Sequence, residues 1–91
     1  MVRFEELKHK VVVNYSLSKM SQKQKVKFLR NLAGYKEMKG KLYSHNGLLQ
    51  EIHAKKLEGN VFIADFENLL KITQLFAEFN LKPEIIEVWT R

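Results

Sequence analysis

The strongest constraint on the fold is a helical pattern that carries its own start and stop signals. Ser21 is a favourable N-cap, and Gln24 three residues later completes a capping-box pattern. Gly34 is the residue type that commonly follows the last turn of a helix. Residues 10–17, which contain three consecutive valines, precede this helix and predict a strand. This part of the chain therefore predicts a fold in which strands and helices alternate.

The segments after Gly34 extend this alternation. Three further strands are predicted by short apolar, β-branched segments: residues 48–57, 61–64 and 85–90. A second helix is predicted over residues 66–79, with Asp65 as its N-cap. Asn46 and Gly47 form a tight-turn signal, which predicts that residues 41–45 pair with the next strand as a hairpin.

The resulting element order is β-α-β-β-α-β. This order predicts an α+β fold of the ferredoxin-like, split βαβ type, in which two helices cover one face of a four-stranded antiparallel sheet. Residues 41–45 would add an extra hairpin strand. The 91 residues are enough for one small domain. We expect a single domain over residues 1–91, with residues 1–9 as an arm or a short helical turn.

Charge is distributed unevenly along the chain. Residues 1–57 carry 13 Lys and Arg against 4 Asp and Glu, whereas residues 58–91 carry 3 against 6. This separation favours one surface that faces a polyanion and an opposite surface that is neutral or acidic. The alternative is a solvated, lysine-rich surface of the kind found in heat-adapted proteins.

The cations concentrate on the first predicted helix and in residues 36–47. Their spacing places Lys23, Lys27 and Arg30 along one side of the helix, and Tyr35 lies among the next cations along the chain. The predicted nucleic-acid-binding residues are Lys23, Lys27, Arg30, Lys36, Lys39, Lys41, Tyr43, His45, Lys55 and Lys56. Cations neutralise phosphates, and aromatic rings stack on unpaired bases. We therefore predict a nucleic-acid-binding protein that favours RNA over DNA, with a ribosome-associated or RNA-processing role by analogy.

A second candidate surface is the sheet face that points away from the helices. Strand alternation predicts that six residues lie on this open face: Val12, His53, Phe62, Ile85, Trp89 and Arg91. Such a face suits base stacking. It equally suits burial against a partner, so the alternative function is a protein-interaction module or a homodimeric subunit.

The sequence and its predicted element order resemble two protein families. The stretch KVVVNYSLSKMSQKQKVKFLRNLAGY resembles the first strand, loop and first helix of the RNA-recognition motif, and GNVFIADF is similar to its third strand. This resemblance implies RNA binding. Length, charge and element order also resemble small CRISPR-associated ferredoxin-like proteins, which carry an Asp for a metal at about the position of Asn14. That resemblance implies a third, less favoured function, a small metal-dependent nuclease.

Signals for catalysis, metal binding and membrane insertion are absent from the sequence. The chain has no cysteine, which excludes disulfides, Cys-ligated zinc and thiol chemistry. It lacks a Walker loop and the GxGxxG, HExxH and GxSxG motifs. The longest apolar run is the four residues 61–64, far too short for a bilayer span. We expect a cytoplasmic non-enzyme without cofactor, metal, membrane partner or small-molecule substrate.

Overall fold

A computed structural model describes residues 7–90 as an α+β fold of six strands, three helices and one 3-10 turn. The turn, Phe66–Asn68, leads directly into the third helix. In chain order the elements are β1 (Lys8–Asn14), α1 (Gln22–Ala33), β2 (Tyr35–Met38), β3 (Leu42–His45), α2 (Leu48–Glu51), β4 (Lys55–Lys56), β5 (Val61–Asp65), α3 (Leu69–Glu78) and β6 (Glu84–Thr90).

Four of the strands form one antiparallel sheet in the order β4-β5-β1-β6. Strand β1 lies inside the sheet and pairs with two neighbours. Its Val13 lies opposite Phe62 on β5 and opposite Ile85 on β6. Strands β2 and β3 form a separate two-stranded sheet. The predicted four-stranded antiparallel sheet is therefore confirmed within residues 7–90.

Helix α1 has the predicted limits because its two ends are fixed locally. The Ser21 hydroxyl oxygen accepts a hydrogen bond from the Gln24 N–H at 3.2 Å. At the other end Gly34 has a φ of 77°, a left-handed conformation that glycine adopts without a steric penalty, and its N–H donates to the Arg30 carbonyl at 3.0 Å. Both signals in the sequence are confirmed.

The core lies between one face of the sheet and the two longer helices. Phe28 of α1 and Phe76 of α3 pack with ring centroids 5.2 Å apart, so the two helices meet directly. Phe62 of β5 and Tyr15, just after β1, complete an aromatic cluster with them. The buried apolar residues are Val11, Val13, Tyr15, Phe28, Leu32, Leu48, Leu49, Ile52, Phe62, Ala64, Ile72 and Phe76.

The predicted open face of the sheet is wrong for β5 and β6. Pairing with β1 places Phe62 and Ile85 on the same face as Val13, and that face is covered by the helices. Phe62 is accordingly 0% exposed. Trp89 lies opposite His9 and shares this same face. Of the predicted residues that fall within 7–90, only Val12 lies on the open face, which otherwise carries aliphatic and polar side chains in this range.

The predicted hairpin around Asn46 and Gly47 is also wrong. The chain turns earlier, at residues 39–41, and pairs β2 with β3. The predicted strand over residues 48–57 is instead one helical turn and then the two-residue strand β4. The reason is burial: Leu48, Leu49 and Ile52 all point into the core, and their spacing suits a helical turn and not a strand.

The start of the second long helix differs from its prediction. Asp65 ends β5, makes no side-chain cap and instead places its carboxylate 2.8 Å from the Lys10 ammonium. The 3-10 turn intervenes, so α3 begins at Leu69 rather than at residue 66. A cross-strand ion pair has replaced the expected cap.

The predicted arm over residues 1–9 falls mostly outside the described residues, as does Arg91. Lys8 and His9 already belong to β1. The His9 ring lies between Phe66, at 3.9 Å, and Trp89, at 4.4 Å, with both rings nearly parallel to it. This stack ties β6 and the 3-10 turn to the beginning of β1.

The register of β5 can be tested by truncating two adjacent residues. Phe62→Ala is expected to lower the free energy of unfolding by about 3–5 kcal/mol, because the whole ring is buried. Ile63→Ala is the matched control on the open face, and its expected loss is about 1 kcal/mol because the side chain is only partly buried. Urea denaturation measures both. Equal losses, or a larger loss at Ile63, would contradict this register.

Candidate nucleic-acid interface

The hairpin formed by β2 and β3 joins the rest of the protein at two touching glycines, which we call the neck. Gly34 ends α1 and Gly47 precedes α2. A Cβ atom on Gly47 would lie 2.4 Å from the Gly34 nitrogen and 2.6 Å from the Leu32 carbonyl, so only glycine fits. The chain therefore leaves and rejoins the main body at one point, and the hairpin projects from it.

Gln50 holds the neck closed. Its Oε1 accepts a hydrogen bond from the Gly47 N–H at 2.8 Å, and its Nε2 donates to the Ala33 carbonyl at 2.8 Å. One side chain thus satisfies the first free N–H of α2 and a terminal carbonyl of α1. These bonds fix the hairpin relative to the end of α1.

The hairpin has two chemically different faces. The register pairs Tyr35 with His45 and Glu37 with Tyr43, so these four side chains share one face, the aromatic face. The opposite face carries Lys36, Met38, Leu42 and Ser44. Met38 and Leu42 lie directly opposite one another and are 74% and 60% exposed. Their exposure, at the far end of the hairpin from the neck, was not predicted from the sequence.

The aromatic face is organised by a stack that reaches α1. The Tyr35 and His45 rings are 4.3 Å apart and nearly parallel, and the Arg30 guanidinium lies 4.9 Å from the Tyr35 centroid. Since Arg30 and His45 cannot occupy the same side of the ring, both faces of Tyr35 are covered. Glu37 Oε2 lies 3.2 Å from His45 Nε2 and orients the imidazole. Tyr35 is therefore a positioning residue and is not open for stacking on a base.

Next to this stack, the outer side of α1 forms a groove of about 710 Å³, which we call the α1 groove. It is lined by Gln22, Lys23, Val26, Lys27, Arg30, Asn31 and Tyr35. Three of the predicted cations therefore lie in one groove. Within residues 7–90, Lys23 and Lys27 form no ion pair, so their charges are available to a ligand. Gln22, Val26 and Asn31 were not predicted, although their helical spacing from Lys23 and Lys27 places them on the same side.

The hairpin supplies three more of the predicted cations, and they are not equivalent. Lys39 Nζ lies 3.2 Å from Glu37 Oε1, an exposed pair of small energetic value. Lys36 and Lys41 are exposed and form no ion pair in the described part of the chain. Tyr43 and His45 are also exposed. The hairpin therefore combines available cations with accessible rings.

Lys55 and Lys56 do not act together in the predicted cluster. Lys55 lies opposite Ile63 and so belongs to the open face. Lys56 lies opposite Phe62, on the helix side, and lines a cavity near α2 together with His53. Strand alternation predicted His53 on the open sheet face, and this prediction is wrong. Its left-handed φ of 54° places His53 in a turn. Of this pair only Lys56 lies near the end of α1.

Comparison with protein-family profiles, with curated proteins and with solved structures finds no match to this chain. Within residues 7–90, no helix is both long enough and apolar enough to cross a bilayer. No three His, Asp or Glu side chains in that same range gather closely enough to hold a metal ion.

The neck can be tested by adding one methyl group. Gly47→Ala is expected to cost about 1–3 kcal/mol, because the new Cβ would overlap the backbone of Gly34 and Leu32. Gly59→Ala is the control: its Cβ would meet nothing within 4 Å, although its φ of 74° makes alanine about 1 kcal/mol less favourable. Thermal denaturation and amide exchange of β2 and β3 measure the effect. Unchanged exchange in the hairpin of Gly47→Ala would contradict a closed neck.

Proposed function

We propose that this protein binds nucleic acid through the α1 groove and the hairpin, and that it favours RNA over DNA. The observation that carries the proposal is the meeting of Lys23, Lys27 and Arg30 in one groove. None of the residues that line this groove, within the described chain, carries a carboxylate. A polyanion therefore meets positive charge without local repulsion.

The charge of this surface suits contacts with several phosphates. Lys23, Lys27 and Arg30 of the groove and Lys36 and Lys41 of the hairpin form no ion pair within residues 7–90. If each of these five cations contacts one phosphate, the log–log salt slope is about −3.5 for a single strand and about −4.5 for a duplex. The affinity would then be dominated by charge, with little discrimination between sequences.

The preference for RNA rests on the accessible rings of the hairpin. Tyr43 is 48% exposed, and the side chain of His45 is 43% exposed. Unpaired bases stack on such rings, and sequence-specific RNA recognition relies mostly on unpaired bases. Base stacking therefore adds to the phosphate contacts when the ligand is single-stranded.

We infer a ferredoxin-like plait in which the hairpin and α2 are inserted between α1 and β4. The strand order β4-β5-β1-β6 supports this assignment. The resemblance to the RNA-recognition motif implies binding on the open sheet face. That face, however, presents aliphatic side chains such as Val12, Ile63 and Ile86 and no aromatic ring among residues 7–90. The geometry therefore favours the hairpin side as the binding surface.

A protein-interaction or homodimeric function remains the second candidate, and one observation favours it. The open face carries a continuous group of aliphatic residues: Val12, Val61, Ile63, Ile86 and Val88. Ile86 is 52% exposed. Burial of this group against a second copy or another protein would stabilise the complex.

The direct test measures binding to labelled single-stranded RNA, duplex RNA and duplex DNA over a series of salt concentrations. Tighter binding to single-stranded RNA near physiological salt, with the slope given above, would support the proposal. Weak binding that appears only at very low salt and is equal for all three ligands would refute it. Analytical ultracentrifugation of wild type and Ile86→Asp then tests the second candidate, because only a dimer through the open face would dissociate.

A charge reversal in the groove tests its role directly. Lys27→Glu is expected to weaken RNA binding at least tenfold and to reduce the salt slope by about 1, because one phosphate contact is lost. Lys71→Glu makes the same charge change on α3, outside the groove, and should weaken binding much less. Fluorescence anisotropy measures both variants. Equal losses in the two variants would mean that only net charge matters and that the groove is not the site.

A further inference from the structure

Another cavity lies at the end of the sheet where β1 finishes and β6 starts. It has a volume of about 330 Å³, is partly open to solvent and is bordered by the loop after β1 and the loop before β6. Its polar lining residues are Tyr15, Ser16, Ser18, Lys19, Asn80 and Lys82. None of them lines the α1 groove, so this cavity is independent of the proposed nucleic-acid interface.

Tyr15 is the feature that distinguishes this cavity from a simple surface depression. The side chain is packed against Phe28, Phe62 and Phe76, and the residue is only 7% exposed. Its hydroxyl forms no hydrogen bond within the described part of the chain, and the oxygen is open to the cavity rather than fully buried, so it has no protein partner there. Because Tyr15 borders the cavity, a ligand atom there can supply that partner.

The other polar groups around the cavity are hydrogen-bond donors or can act as donors. The hydroxyl oxygens of Ser16 and Ser18 lie 3.0 Å apart, which brings two rotatable O–H groups together. Lys19 and Lys82 add two positive charges, and neither forms an ion pair within residues 7–90. Among the residues that the structure describes, none that lines the cavity carries a carboxylate. Burial raises the pKa of Tyr15 further above neutral pH, where the hydroxyl is already a donor.

We propose that this cavity binds the phosphate group of a phosphate monoester. A monoester carries about −1.5 to −2 charges near neutral pH and three acceptor oxygens, which match two ammonium groups and a ring of donors. A carboxylate offers a single charge and fewer acceptors. The volume lies at the lower end of small-ligand cavities, about 300–1,000 Å³, so the bound molecule is of mononucleotide size or smaller. This proposal differs from the expectation from sequence that no small molecule is bound.

The phosphate can come from two sources, a free mononucleotide or the terminal phosphate of a nucleic-acid strand. The test therefore begins with AMP, inorganic phosphate and adenosine, each titrated into the full-length protein and monitored by NMR. Saturable shifts of the Ser16, Ser18, Lys19 and Asn80 amides with AMP and phosphate, and none with adenosine, are expected. Absence of saturable shifts at millimolar AMP, or equal shifts with adenosine, would overturn the proposal.

Tyr15→Phe removes one oxygen and keeps the ring that packs in the core. This variant should remain folded and bind AMP about tenfold more weakly, as expected for the loss of a hydrogen bond to a charged acceptor. The double variant Lys19→Gln/Lys82→Gln should abolish saturable AMP binding, because it removes both positive charges of the cavity. It tests the proposal even if Tyr15→Phe does not fold. Lys71→Gln removes one positive charge on α3, outside both the cavity and the α1 groove, and is the control that should bind AMP as wild type does. Wild-type affinity in the double variant would overturn the proposal.

Oligonucleotides with and without a 5′-phosphate separate the two sources. Tighter binding of the phosphorylated strand, lost in Tyr15→Phe, assigns the cavity to strand ends. Equal binding of both strands together with saturable AMP binding assigns it to a free phosphate monoester. Either result supports the phosphate site. If the protein binds AMP but no RNA, the proposed nucleic-acid function fails and this site stands.

Discussion

Four aromatic rings from different parts of the chain hold this protein together. Phe28 of α1, Phe62 of β5 and Phe76 of α3 converge with Tyr15, which lies just after β1. Centroid distances of 5.2–6.2 Å and tilted planes are typical of stable aromatic packing. Both long helices are thereby attached to one face of the sheet. The positions of the α1 groove and of the cavity near Tyr15 result from this arrangement.

Local signals made part of the fold predictable. Ser21 and Gly34 fixed the limits of α1 because capping depends on neighbouring residues alone. The spacing of Lys23, Lys27 and Arg30 then placed three cations on one side of a helix, and the groove contains all three. The three cations of the α1 groove could therefore be predicted from the sequence.

The sequence could not show which face of β5 and β6 is buried. Ile85 and Ile86 are both aliphatic, as are the residues on either side of Phe62, so alternation does not identify the buried set. Only pairing with Val13 of β1 decides it. The hairpin was mispredicted for a related reason. Asn46 and Gly47 carry a strong local turn signal, but the burial of Leu48 and Leu49, a tertiary effect, makes the next residues a helical turn.

The sequence of the hairpin formed by β2 and β3 has no clear alternation of apolar and polar residues, because nearly all of its side chains are exposed. Only the pairing of the two strands decides which side chains share a face. Its aromatic face depends on the cross-strand contact between Tyr35 and His45 and on the distant Arg30. Such contacts join residues whose proximity results from the turn at residues 39–41. The sequence indicated the residue types needed for binding, and the register decided which of them are accessible.

The neck has a consequence for how this protein can change over evolution. Since the backbones at Gly34 and Gly47 are already in contact, everything between them is a loop whose two ends coincide in space. A hairpin of another length or composition can be exchanged at this position without altering the spacing of α1 and α2. The aromatic core and the cavity near Tyr15 lie outside the exchanged segment. In the function proposed above, ligand preference would then diversify on the hairpin while the rest of the chain keeps its architecture.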